Sequence, residues 1–172
     1  MLDTTQALPK ELESIAYVRF QDCDPFQHLN NARYIDYFLN AREDQLIKFY
    51  DFSIFQYTKE ASAGWVVTKT QIAYLYPATI TEEVIIKTRL IQMSESGIVV
   101  EGVMLDKEQK RPKAVSWIEF AYVSLATGRT TNHPDALMQL FAAVCEDDYQ
   151  PDGFNQRVER VKNQYRKQAV VA

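Results

Sequence analysis

The chain is poor in cysteine, histidine and glycine, and each shortage removes a class of chemistry. Cys23 and Cys145 are the only cysteines in 172 residues, too few for a disulfide framework, so a reduced cytoplasmic protein is expected. Two histidines, His28 and His133, rule out the HExxH zinc motif, and a cysteine–histidine zinc cluster would consume nearly every candidate ligand; no metal is expected. The five glycines are Gly64, Gly97, Gly102, Gly128 and Gly153, and no pair is spaced for GxGxxG or a P-loop. GxSxG is missing too, which removes the usual serine hydrolase elbow, and no cofactor is expected. The longest stretch without a charge, Thr70 to Thr81, is 12 residues. A membrane-spanning helix needs about 20, so neither a transmembrane helix nor a membrane partner is expected. The start, MLDTTQALPKELES, carries Asp3 and has no apolar h-region, so it does not read as a signal peptide.

Charge is unevenly spread. Residues 155–172 hold Arg157, Arg160, Lys162, Arg166 and Lys167 against Glu159, a net of +4, which leaves −8 on the other 154 residues of a chain whose total is −4. An acidic body argues against nucleic acid as a partner, because phosphate neutralisation supplies most of that affinity. Within the tail, Val158, Val161 and Tyr165 follow i, i+3, i+7 spacing. That spacing predicts a helix packed on the body with a solvated basic face; a phosphate-gripping tail is the alternative.

Length and an apolar content of 47% predict a single domain over 1–172, with a flexible leader at 1–13 and a basic helical tail at 150–172. Ser14 to Phe20 alternates as a short strand. QDCDPFQHLNN is dense in Asp, Asn and Pro and reads as a loop. From about 31 to 50 the period becomes helical, with Tyr34, Tyr37, Phe38 and Ala41 as one stripe and Asn30 or Asn31 as N-cap. The first two turns are apolar nearly all round, as in a helix enclosed by other structure. After Gly64 come four segments rich in β-branched and aromatic residues: WVVTKTQIAYLYP, EEVIIKTRLIQM, GIVVEGVMLD and KAVSWIEFAYVSL. The turns at 94–97 and 107–112 make them antiparallel hairpins. Asn132-His133-Pro134-Asp135 opens a helix that runs to about Cys145. The expected class is α+β, a curved five-stranded antiparallel sheet around one long central helix, with helices at the C-terminal end.

Chemistry concentrates in Asp22-Cys-Asp24-Pro-Phe-Gln-His28-Leu-Asn30-Asn31-Ala-Arg33-Tyr34. Carboxylates, an imidazole and two amides lie in a loop that ends at a helix N-terminus. Such an end offers unpaired N–H groups and partial positive charge for an anion or a developing oxyanion. A carboxylate beside it can act as base or nucleophile. Asp22 reads as a loop-fixing or solvated group. Cys23 lacks the neighbouring base that would make it a thiolate, and His133 reads as a helix-start residue.

The spacing D-x-x-x-H-x-N-N-x-x-Y, here Asp24, His28, Asn30, Asn31 and Tyr34, resembles the hotdog-fold thioesterases of the 4-hydroxybenzoyl-CoA thioesterase-like branch. It is similar to long-chain acyl-CoA thioesterases and to the acyl-carrier-protein thioesterases that share the fold. The resemblance implies a hotdog fold, hydrolysis of acyl-CoA, and a homodimer or dimer of dimers with sites at the subunit interface. It implies Asp24 as nucleophile or general base, His28 as a group orienting water or thioester, and the backbone N–H of Asn31 as oxyanion donor. Asn30, Tyr34, Tyr37 and Phe38 would line the substrate. The turn at Met93–Gly97 departs from relatives that offer basic side chains to coenzyme A phosphates; Lys107, Lys110, Arg111 and Lys113, or the basic tail, are the substitutes. Acyl-carrier-protein thioesters and a non-catalytic acyl-binding role are the alternative functions.

Overall fold

The structure is a computed structural model that describes residues 8–146 and 153–170, with side chains as far as residue 166. Its elements are β1 (Glu11–Tyr17), a 3-10 turn (Phe20–Asp22), a second 3-10 turn (Asn31–Arg33) leading into α1 (Tyr34–Tyr50), and α2 (Ile54–Ala61). They continue as β2 (Ala63–Tyr74), β3 (Glu83–Met93), β4 (Gly97–Asp106), β5 (Pro112–Ser124), α3 (Asp135–Val144) and α4 (Phe154–Val170). The five strands form one antiparallel sheet in the order β1-β3-β4-β5-β2. Register shifts at Val67/Lys69, Leu90/Gln92 and Met104/Leu105 mark bulges, which bend and twist the ladder. This is the α+β hotdog architecture expected from the sequence.

The period-2 rule explains how both faces become buried. Val84, Ile86, Thr88 and Leu90 of β3 point to one face and are fully buried. On that side Tyr34, Phe38 and Ala41 of α1 pack with Val84, Ile86, Met104, Ala114 and Ile118. Gly102 is required here: a Cβ on it would lie 2.4 Å from Cδ1 of Phe38, so the ring sits directly on the sheet backbone. The opposite face carries Ile85, Val103, Leu105 and Val115, which Val158, Val161 and Tyr165 of α4 cover. The apolar stripe of the basic tail therefore packs on the body as its spacing predicts.

Three local expectations are corrected. β1 starts at Glu11, so residues 11–13 belong to the sheet and not to a leader, because Leu12 is buried beneath the C-terminal half of α1 and pairs with Thr88. The strand stops at Tyr17, short of Phe20. The leader's first seven residues and residues 150–152 and 171–172 of the tail lie outside the described residues. α2 went unread in the sequence; Ser53 caps it, its hydroxyl accepting the Gln56 N–H at 3.3 Å. Arg157 does not lie on a solvated face: its guanidinium makes two 2.8 Å hydrogen bonds to Glu101, which is 1% exposed and also takes Arg89 at 2.8 Å and the Trp117 indole N–H at 2.9 Å. A buried carboxylate is tolerated only when such partners surround it.

Candidate active site

The loop between β1 and α1 folds back on itself. Cys23 and Leu29 form an antiparallel bridge, the Asp24 N–H donates to His28 O at 2.8 Å, and the Asn30 N–H donates to Asp22 O at 2.9 Å. The reversal turns through Gln27, whose φ of 64° is left-handed, and whose N–H returns to Asp24 O at 3.0 Å. Outside contacts hold the hairpin in place. The Leu29 N–H donates to Ala78 O at 2.8 Å, the Ile80 N–H to Gln27 O at 2.9 Å, and His28 bridges to Thr79. From α1, the Tyr37 hydroxyl donates to Asp22 Oδ2 at 2.9 Å, and Tyr34, 2% exposed, accepts the Ala78 N–H at 3.2 Å.

Within this frame Asp24 keeps one oxygen unengaged. Its Oδ1 accepts the N–H groups of Phe26 at 2.9 Å and His28 at 3.1 Å, which fixes the carboxylate, while Oδ2 makes no hydrogen bond or ion pair among the described residues. The His28 ring, half-buried, is likewise without a polar partner among them. Asn30 Oδ1 accepts the Ala32 N–H at 3.0 Å and Asn30 O accepts the Arg33 N–H at 2.8 Å, so Asn30 caps the helix start. Between Asp24 and Arg33 every backbone N–H is used within the loop or against Ala78 except that of Asn31 and the imide Pro25. The one free donor of the hairpin therefore sits at the positive end of the central helix. Tyr74 on β2 secures that residue from the other side, its hydroxyl donating to Asn31 O at 2.8 Å.

The remaining residues named from the sequence are also placed. Phe38 is buried on Gly102 and is a core residue of the protomer. Asp22 is tied to Tyr37, with Arg33 Nε 3.9 Å away, a loop-fixing position. Burial first, then the charges of Asp22 and Asp24, push the Cys23 thiol above its ordinary pKa, and it donates to Arg19 O at 3.3 Å; this is not a thiolate environment. His133 is buried near the start of α3, where it accepts the Trp65 indole N–H at 3.0 Å. Lys107 pairs with Glu83 at 3.1 Å and the buried Lys113 with Glu82 at 2.6 Å. The part of Tyr74, and of the Ala78–Thr79 backbone, has no local signal, since each reaches the loop from a distant strand end.

Comparison with known proteins agrees with this fold. The model of the thioesterase-like superfamily matches residues 18–141. The long-chain acyl-CoA thioesterase FadM of Escherichia coli is 32% identical over 111 residues, covering 64% of this chain and 81% of that protein. Among solved structures, a probable thioesterase, YbaW, from Escherichia coli superposes with a TM-score of 0.68 at 24% identity, covering 78% of this chain and 99% of its own. A 1,4-dihydroxy-2-naphthoyl-CoA thioesterase from Synechocystis superposes with a TM-score of 0.69 at 14% identity, covering 81% and 99%. The chain belongs to the thioesterase-like superfamily.

Proposed function

We propose that the protein hydrolyses acyl-CoA to a free acid and coenzyme A, with Asp24 as the central catalytic group. The observation that carries this reading is that one short hairpin holds both a carboxylate oxygen, Asp24 Oδ2, and a backbone N–H, that of Asn31, with no partner among the described residues. Thioester hydrolysis needs a group that attacks the carbonyl carbon, or deprotonates water that does, and a donor aimed at the oxygen that becomes negative. In the general-base route Asp24 takes a proton from water as the hydroxide adds, and the oxyanion accepts the Asn31 N–H. Collapse breaks the C–S bond, and the thiolate recovers the proton. In the nucleophilic route an Asp24 carboxylate oxygen attacks the carbonyl carbon, the C–S bond breaks as coenzyme A leaves as thiolate, and water then cleaves the anhydride, its proton passing to the thiolate. His28, whose ring has no polar partner among the described residues, would orient that water.

The FadM match supports an acyl-CoA substrate. The site is open on the protomer, and β2 ends the sheet with Val66 and Val67 46% and 47% exposed. A homodimer joined through this edge would enclose the site and pair the strand. Thiol release across an acyl-CoA panel tests the activity: turnover with one or more members is expected, and none with any would overturn the reading. A stable 19.9 kDa monomer by light scattering at micromolar concentration would overturn the dimer.

A further inference from the structure

Beneath the second half of α1 lies an apolar cavity of about 70 Å³ that opens to solvent, lined by Leu46, Trp65, Leu90, Val100 and Phe141. Neither Asp24 nor His28 lines it. One charge does. Arg42 of α1 enters this wall, and its Nε is buried without a hydrogen-bond partner. Its terminal nitrogens reach only neutral groups: Thr88 Oγ1 at 3.2 Å and the Tyr50 hydroxyl.

Among the described residues the other well-buried cations are handled differently. Arg89 and Arg157 share Glu101, Lys113 has Glu82, and Lys87 has Glu11 and Glu13. No carboxylate among the described residues neutralises Arg42. Burial lowers its pKa to about 10, so it still carries its charge at neutral pH. A buried, charged and incompletely bonded guanidinium is costly to keep in an apolar wall. A ligand anion in the cavity would supply the missing counter-charge to the guanidinium as a whole.

We propose that this cavity is a second binding site, separate from the Asp24 loop, for a free carboxylic acid with an apolar chain, its carboxylate seated on Arg42. A single cation matches a monoanion; a phosphate would want a second, and none lines the cavity. The enclosed space is about half that of a protein cavity known to admit benzene. It therefore takes the carboxylate and the first carbons, and the rest of the chain lies in the mouth against Phe52 and Ile54. The site is placed to sense the acid that thioester hydrolysis releases, but its occupancy does not depend on that activity.

The test is titration of the purified protein with octanoate and with 1-octanol, read by thermal shift and by the fluorescence of Trp65, which lines the cavity. Saturable binding of octanoate, tighter than octanol by roughly ten- to a hundredfold, is expected, the usual worth of a charge-assisted hydrogen bond. Arg42→Met should remove that preference, and Asp24→Asn should leave it intact. Equal affinity for acid and alcohol in the wild-type protein would overturn the proposal without any variant. So would undiminished octanoate binding by Arg42→Met, or its loss in Asp24→Asn, which would place the acid at the hydrolytic loop instead.

Discussion

The Tyr37 hydroxyl donates to Asp22 Oδ2 at 2.9 Å and accepts the Arg19 N–H at 3.0 Å. One phenol on the central helix thus holds the segment that leads into Asp24, in a loop that has no regular strand or helix to steady it. Tyr37→Phe keeps the ring but leaves the half-buried Asp22 carboxylate with only the Arg33 contact at 3.9 Å and frees the exposed Arg19 N–H. A loss of about 1–3 kcal/mol in urea unfolding is expected, with a fall in kcat smaller than that from changing Asp24 itself. Unchanged stability and turnover would show that Tyr37 does not hold the loop.

Asp24→Asn preserves shape and much of the hydrogen bonding to Phe26 and His28 but removes charge and basicity. It should fold normally and lower kcat by roughly 10²- to 10⁴-fold, the range for losing a positioned acid–base group. Asp22→Asn should change turnover only as far as it changes stability, since Tyr37 and Arg33 already engage that carboxylate. His28→Ala should fall between the two. Near-full activity in Asp24→Asn with a dead Cys23→Ser would transfer the chemistry to the thiol.

Glu101 anchors α4 to the sheet through Arg157. Burial alone would raise its pKa, but the Arg157 hydrogen bond, the Arg89 and Arg157 charges and the Trp117 indole together hold it below the ordinary carboxylate value. Its contribution to stability is therefore complete above the unfolded-state pKa and is lost as pH falls below about 4.5 through the lower folded-state value. Glu101→Gln leaves Arg157 without its counter-charge and Arg89 with Glu146 alone, and should cost about 3 kcal/mol or more. Proteolysis should then cut near α4 first; an unaltered melting temperature would contradict the anchoring role.

His133 gives a second acid-sensitive step at higher pH. Its Nε2 accepts the Trp65 indole N–H at 3.0 Å, so that nitrogen must be bare, and Nδ1 faces Ser94 O at 3.2 Å as the donor. Burial, only partly opposed by the Ser94 and Glu95 carbonyls, lowers its pKa. A lowered histidine pKa means the folded state favours the neutral ring, so stability is full above about pH 6.5 and declines as pH falls from there toward the folded-state value. Melting temperatures measured from pH 8 to pH 5 should show this decline. His133→Gln should flatten it while lowering stability throughout.

Much of the active loop was legible because its chemistry is contiguous. Asp24, His28, Asn30, Asn31 and Tyr34 fall within eleven residues, and Pro25 with the adjacent Asp and Asn residues marks the turn that folds them together. The central helix and four of the strands were legible from their periods. β1 was misplaced by three residues because Leu12 looks like an isolated apolar residue until β3 lies beside it. α2 was invisible for a different reason: IFQYTKEA is too short to show a helical period, and it leaves no residue fully buried.

By itself the sequence determined most of the elements and the short segment in which carboxylate, imidazole and amide groups gather, since propensity, periodicity and turn chemistry act between residues a few positions apart. Only the tertiary structure decided which partners the isolated charges receive and which donors remain free. Arg157 and Glu101 lie 56 residues apart, and Tyr74 reaches Asn31 across 43. Pairs at that range are set by strand register and helix docking, on which local preferences carry no information. The same holds for what is left over. The free N–H of Asn31 and the uncompensated guanidinium of Arg42 become recognisable only when every neighbour has taken its place.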